Sequence, residues 1–136
     1  MTIRREDNTL QDLISTAQNF TASWVDLGES IDVRDIATIG LYLNIDINDS
    51  LNTRVRMVAV DGSDEYELPI LTVGTSSIAV DQEYFEFTDD ADQLMILSFN
   101  VLDLVGTVKF QIQAGTAGAT PGQIDGAKVS YKTIES

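Results

Sequence analysis

From about residue 20 to the C-terminus, apolar and polar side chains alternate with a period of two. Ile39, Leu41, Leu43, Ile45 and Ile47 alternate with Gly40, Tyr42, Asn44 and Asp46. Val55, Met57 and Ala59 alternate with Arg54, Arg56 and Val58, and Tyr66, Leu68 and Ile70 with Glu65, Glu67 and Pro69. Val108, Phe110 and Ile112 alternate with Lys109, Gln111 and Gln113, and Val129 and Tyr131 with Lys128, Ser130 and Lys132. Successive side chains of a strand point to opposite faces, so this pattern predicts strands with one buried and one wetted face. Leu94-Met95-Ile96-Leu97-Ser98-Phe99 is apolar at both parities. It is expected to form a central strand covered on both faces. Pro69 has no amide hydrogen, which puts its strand at an edge or on a bulge.

Turn-forming residues separate these runs: Asn48-Asp49-Ser50, Asp61-Gly62-Ser63, Gly74-Thr75-Ser76 and Asp89-Asp90. About eight short strands joined by short turns predict an all-β fold, an antiparallel β-sandwich of jelly-roll type, rather than a βαβ fold. Residues 20–136 are assigned to that domain. Residues 1–19 carry a different period. Leu10, Leu13, Ile14 and Ala17 fall at i, i+3, i+4 and i+7, with Asn8 and Gln11 placed as a capping pair. This predicts a short N-terminal helix or arm. About three turns are marginal in water, so the segment must dock, either on its own domain or on a neighbouring subunit.

The chain has 136 residues, a single domain's length, with 43% apolar residues. It has no cysteine and no histidine. That excludes disulfides, thiolate zinc sites, iron–sulfur clusters, a Ser-His-Asp triad and the usual transition-metal ligands. Eight Lys and Arg stand against 22 Asp and Glu, a net charge of −14. Nucleic-acid binding depends on cationic side chains meeting phosphates, so it is not expected. No signal-peptide core is present, and no apolar run approaches the ~18 residues that span a bilayer, so no membrane association is expected either.

The charge is unevenly placed. No basic residue lies between Arg56 and Lys109, while eleven carboxylates do. Carboxylates this dense repel one another unless they are solvated, screened or neutralised. One outcome is a Ca²⁺ site, with Asp61, Asp64 and Glu65 or Asp89, Asp90 and Asp92 as the best ligand clusters. Neither cluster has EF-hand spacing. The alternatives are a solvated acidic face and a surface for a basic partner. A carboxylate pair able to hydrolyse glycosides is available by numbers alone, but nothing distinguishes one pair, and no enzymatic activity is expected.

Trp24 is either a core tryptophan closing one end of the sandwich or a stacking platform for a sugar. Tyr84, Phe85 and Phe87 crowd one strand, so at least one of them should face solvent or a partner. The loop Gly115–Gly122 has no lysine and is no phosphate loop; it serves as a connector or packs closely against another chain.

The run Trp24-Val25-Asp26-Leu27-Gly28-Glu29-Ser30-Ile31-Asp32-Val33, then Ile39-Gly40-Leu41-Tyr42-Leu43, Val55-Arg56-Met57 and the late Phe110-Gln111-Ile112-Gln113-Ala114-Gly115 resemble the small β-sandwich virion proteins of tailed bacteriophages. The resemblance covers most of residues 20–134. It implies a non-enzymatic structural subunit in the virion, a capsid decoration or head accessory protein that binds other virion proteins such as the major capsid protein. It also implies a homo-oligomer, a trimer by preference, and no cofactor. Leu10, Leu13, Ile14, Trp24, Tyr84 and Phe85 are the candidate interaction residues. The alternative is a carbohydrate-binding jelly-roll module, Ca²⁺-stabilised, stacking sugars on Trp24, Tyr42 or Tyr84. Such modules usually ride on larger enzymes, and a chain that begins at Met1 is expected to be complete, which weighs against this alternative.

Overall fold

A computed structural model of the chain describes residues 10–68, 70–73, 78–82, 84–87, 93–102, 104, 106–116 and 118–133. Those residues form twelve strands: β1 (Gln11–Asp12), β2 (Gln18–Phe20), β3 (Val25–Asp32), β4 (Ile36–Asp46), β5 (Leu51–Asp61), β6 (Asp64–Glu67), β7 (Ile70–Val73), β8 (Ile78–Gln82), β9 (Phe85–Phe87), β10 (Gln93–Asn100), β11 (Thr107–Thr116) and β12 (Gly122–Thr133). All pairing is antiparallel. One sheet runs β1-β12-β4-β10, with β2 also on β12; the other runs β3-β11-β5-β6, with β9 also on β5. Among the described residues β7 and β8 pair only with each other.

The pairing is nested. β2 pairs with β12, β3 with β11, β4 with β10, and β5 with β6 and β9. The chain is thus one long hairpin. Rolling it brings β4 against β12 and β5 against β11, which splits the hairpin into two layers.

Period two then decides which residues meet. Ile39, Leu41, Leu43 and Ile45 of β4, with Ile124, Ala127 and Val129 of β12, turn inward from one sheet. Leu27 and Ile31, Val55 and Met57, and Val108, Phe110 and Ile112 turn inward from the other. These residues form one buried cluster. The Phe99 ring on β10 lies 5.0 Å from Phe110 on β11 and 5.5 Å from Phe85 on β9, so aromatic contacts cross between the layers.

Three expectations are corrected. First, there is no helix among the described residues. Gln11 and Asp12 pair with Val129 and Lys128, and the Leu13 N–H donates to the Ala127 carbonyl at 2.8 Å. The open edge of β12 satisfies the backbone better than a free three-turn helix does. Leu13 and Ile14 still pack on the core, while Leu10 is exposed. Residues 11–20 therefore dock on their own chain.

Second, Leu94–Phe99 is not central. Among the described residues β10 is the end strand of its sheet, and Leu94 and Ile96 are 82% and 61% exposed. Third, β6 is exposed throughout, with Tyr66 55% exposed. Alternation shows that side chains take turns between faces, but burial also needs an opposite layer. Pro69 lies outside the described residues.

Candidate interaction surface

The outward face of the β3-β11-β5 sheet holds three of the protein's eight cations, Arg54, Arg56 and Lys109, each matched by a carboxylate. The Arg54 Nε donates to Glu86 Oε2 at 2.7 Å, and the Arg56 Nη1 to Glu67 Oε1 at 2.7 Å. The Lys109 Nζ donates to Asp26 Oδ2 at 3.0 Å and also meets Glu65. Gln111, 5% exposed, links the groups: it accepts from Arg56 Nε at 2.8 Å and donates to Asp26 Oδ1 at 2.9 Å. Val58 stands in the same outward row, opposite Lys109 and Glu67, and is fully buried. The aliphatic stems of the charged side chains shield it.

Trp24 belongs to this face and not to the core. The Arg56 guanidinium lies 4.1 Å from its ring centroid, and the Tyr84 ring is 5.9 Å away with Arg54 4.9 Å from it. Each ring therefore carries a guanidinium on one face. Phe85 turns inward onto Phe99, Phe87 also packs against the core, and Tyr84 is the outward member, half-buried.

Of the proposed cation ligands, Asp61 and Asp64 oppose each other at the exposed end of the β5–β6 hairpin, while Glu65 is held by Lys109. Among the described residues no three acidic side chains converge on one point. Asp89, Asp90 and Asp92 lie outside the described residues. The 115–122 segment packs against its own chain: Asn48 Nδ2 donates to the Pro121 carbonyl at 2.8 Å, and a Cβ on Gly118 would lie 2.2 Å from Asp49 Cβ.

The Gln111 amide, followed by the Lys109 ammonium, holds the Asp26 carboxyl below its ordinary range. Glu65 and Asp26 hold Lys109 above its own. A depressed acid stabilises the fold above its ordinary pKa and loses that effect as pH falls through the folded value. A raised amine stabilises below its ordinary pKa and loses it as pH rises through the folded value. Lys109→Met should therefore cost about 0.5–1 kcal/mol between about pH 5 and pH 10, because Asp26 and Glu65 are 51% and 38% exposed and screened. Urea unfolding of both proteins should show the gap narrowing below pH 4. A gap independent of pH would assign the loss to packing of the lysine stem.

The other sheet presents a different outward face. Four cross-strand rows run across β10, β4 and β12: Leu94-Asn44-Gly126, Ile96-Tyr42-Lys128, Ser98-Gly40-Ser130 and Asn100-Thr38-Lys132. None of these residues is a carboxylate, in a chain of net charge −14; the Lys128 row continues to Asp12 on β1, and Asp46 follows Asn44 on the same face of β4. Lys128 and Lys132 stand there without an ion-pair partner among the described residues. Leu94, Met95, Ile96, Tyr42, Leu43, Asn44, Gly126 and Lys128 line a shallow groove of about 550 Å³. Sequence reading missed this surface because an uncovered apolar face and a covered one have the same residue pattern.

Two antiparallel sheets closing on one core place the chain among all-β proteins of two-layer construction. No family model matches it, and no curated protein does. Among solved structures it is similar to the SPBc2 prophage-derived protein YomS, at 18% identity and a TM-score of 0.41, over 85% of this chain and 92% of that one.

Proposed function

We propose that the protein is a non-enzymatic structural subunit of a tailed-phage particle, built as a jelly roll and working by binding other virion proteins. The nested pairing of β2 with β12, β3 with β11, β4 with β10 and β5 with β9 supports the jelly-roll reading, since that fold is a long hairpin wrapped into two sheets. The observation that carries the functional reading is the outward face of the β12-β4-β10 sheet. Leu94 and Ile96 are 82% and 61% exposed beside Lys128, and the four rows across β10, β4 and β12 hold no carboxylate; Asp12 opposite Lys128 and Asp46 at the end of β4 stand beyond them on the same face. An apolar patch edged by cations on an otherwise acidic protein is a docking surface for a partner that is apolar at its centre and acidic at its rim. A capsid decoration or head accessory role uses such a surface, and the acidic remainder keeps the outside of a particle dispersed.

Particles purified from cells that express the gene should contain the protein at a fixed ratio to the major capsid protein, read by quantitative mass spectrometry. Its recovery in the particle-free supernatant alone would sink the proposal.

A further inference from the structure

Among the described residues the two packed sheets have four edges, and their charges differ. β3 carries Asp26, Glu29 and Asp32; β6 and β9 carry Asp64, Glu65, Glu67 and Glu86. β1 and β2 are two short pieces, with Asp12 in the first. Charged, broken or short edges resist strand addition. β10 has none of these protections. Its eight residues, Gln93 to Asn100, include no charge, and its register against β4 runs from Gln93↔Ile45 to Asn100↔Thr38 without a bulge.

We propose that β10 pairs antiparallel with β10 of a second copy about a two-fold axis perpendicular to the sheet. The edge is self-complementary in the required way. In an antiparallel pair, directly opposed residues point to the same face. The two-fold therefore sets the outward row Leu94, Ile96 and Ser98 of one copy beside the same row of its partner, and the inward row beside the inward row. Cross-strand contacts between Leu94 and Ile96 add to the ladder of backbone hydrogen bonds. Two chains of −14 repel, so a second copy is tolerated best at an edge without carboxylates, and β10 is the longest such edge of the two packed sheets. Pairing joins the two apolar faces side by side across ~4.8 Å and doubles the docking platform. The inference goes beyond the function proposed above and is tested on the purified protein alone, so the failure of either leaves the other standing.

The experiment is light scattering behind a sizing column, over a range of protein concentration and at low and high NaCl. The expected result is a mass twice the 14.9 kDa of the chain, with the dimer fraction rising with salt as repulsion is screened. Ile96→Lys places two like charges together at the join and should weaken the dimer at least ~100-fold. Ile96 is already exposed, so the β-type circular dichroism should not change. Ser98→Lys, on the same exposed row, is a second variant with the same expected effect. Hydrogen exchange should show β10 amides gaining protection as the dimer forms. A single-chain mass at all concentrations and salts, a trimer, a dimer that salt dissociates, a dimer that survives both variants, or dimerisation without new protection in β10 would each overturn the proposal.

Discussion

Phe110→Ala should cost about 3–5 kcal/mol, a large share of the roughly 5–15 kcal/mol that holds a typical domain together. Phe110 is fully buried on β11, the strand hydrogen-bonded to β3 on one side and β5 on the other. Its ring meets Phe99 of the opposite sheet at 5.0 Å, and Phe99 meets Phe85 at 5.5 Å. Removing it deletes the middle of the contact between layers. Both layers are tied into ladders and can collapse only partly into the space, so the cavity cost adds to the lost transfer energy. Urea denaturation should show a lower midpoint at nearly unchanged slope. Phe99→Ala should cost less, because that ring is only half-buried on an end strand. A Phe110→Ala loss below about 1 kcal/mol would mean that this ring does not tie the layers together.

The second large effect has a diagnostic sign. Glycine inside a strand is ordinarily worth replacing, since alanine there gains roughly 0.5–1 kcal/mol. Gly122 should behave oppositely. It opposes Phe20 in the β2·β12 ladder, and a Cβ at position 122 would lie 2.2 Å from Phe20 Cζ. Phe20 is fully buried and cannot swing away, and the Gly122 N–H donates to the buried Ser50 hydroxyl at 3.1 Å, which fixes the backbone. Gly122→Ala should thus destabilise by about 1–3 kcal/mol. In a Phe20→Leu background the cost should fall sharply, because the shorter side chain leaves room. A double-mutant cycle by chemical denaturation reads this coupling. Additive effects would show that the ring and the glycine do not touch.

Much of the architecture was legible before any coordinates. The rows Ile39-Leu41-Leu43-Ile45 and Val108-Phe110-Ile112 are buried as their parity requires, because a residue's face in a strand is a local property. The charge pattern was read less well. The acidic stretch between Arg56 and Lys109 looked unneutralised along the chain, yet Glu65, Glu67 and Glu86 are neutralised across strands by Lys109, Arg56 and Arg54. Those partners lie up to 44 residues away in sequence, as with Lys109 and Glu65, which the sheet brings together across the intervening β5. Trp24 stayed open between core and surface for a related reason. A tryptophan beside an apolar run fits either, and only the sheet brings Arg56 over its ring.

By itself, the sequence determined that this is an all-β protein without the residues for thiol, imidazole or cysteine-ligated metal chemistry, and which side chains of each strand share a face. Residue type and period two are enough for that. The tertiary structure decided which faces are covered and which strands are ends. The N-terminal segment, with helical spacing, became an edge of β12 because a strand edge offers hydrogen bonds that a short helix in water must make alone. β10, apolar on both faces, became an uncovered end strand because coverage depends on what packs opposite and alongside, which are long-range pairings that no local pattern encodes.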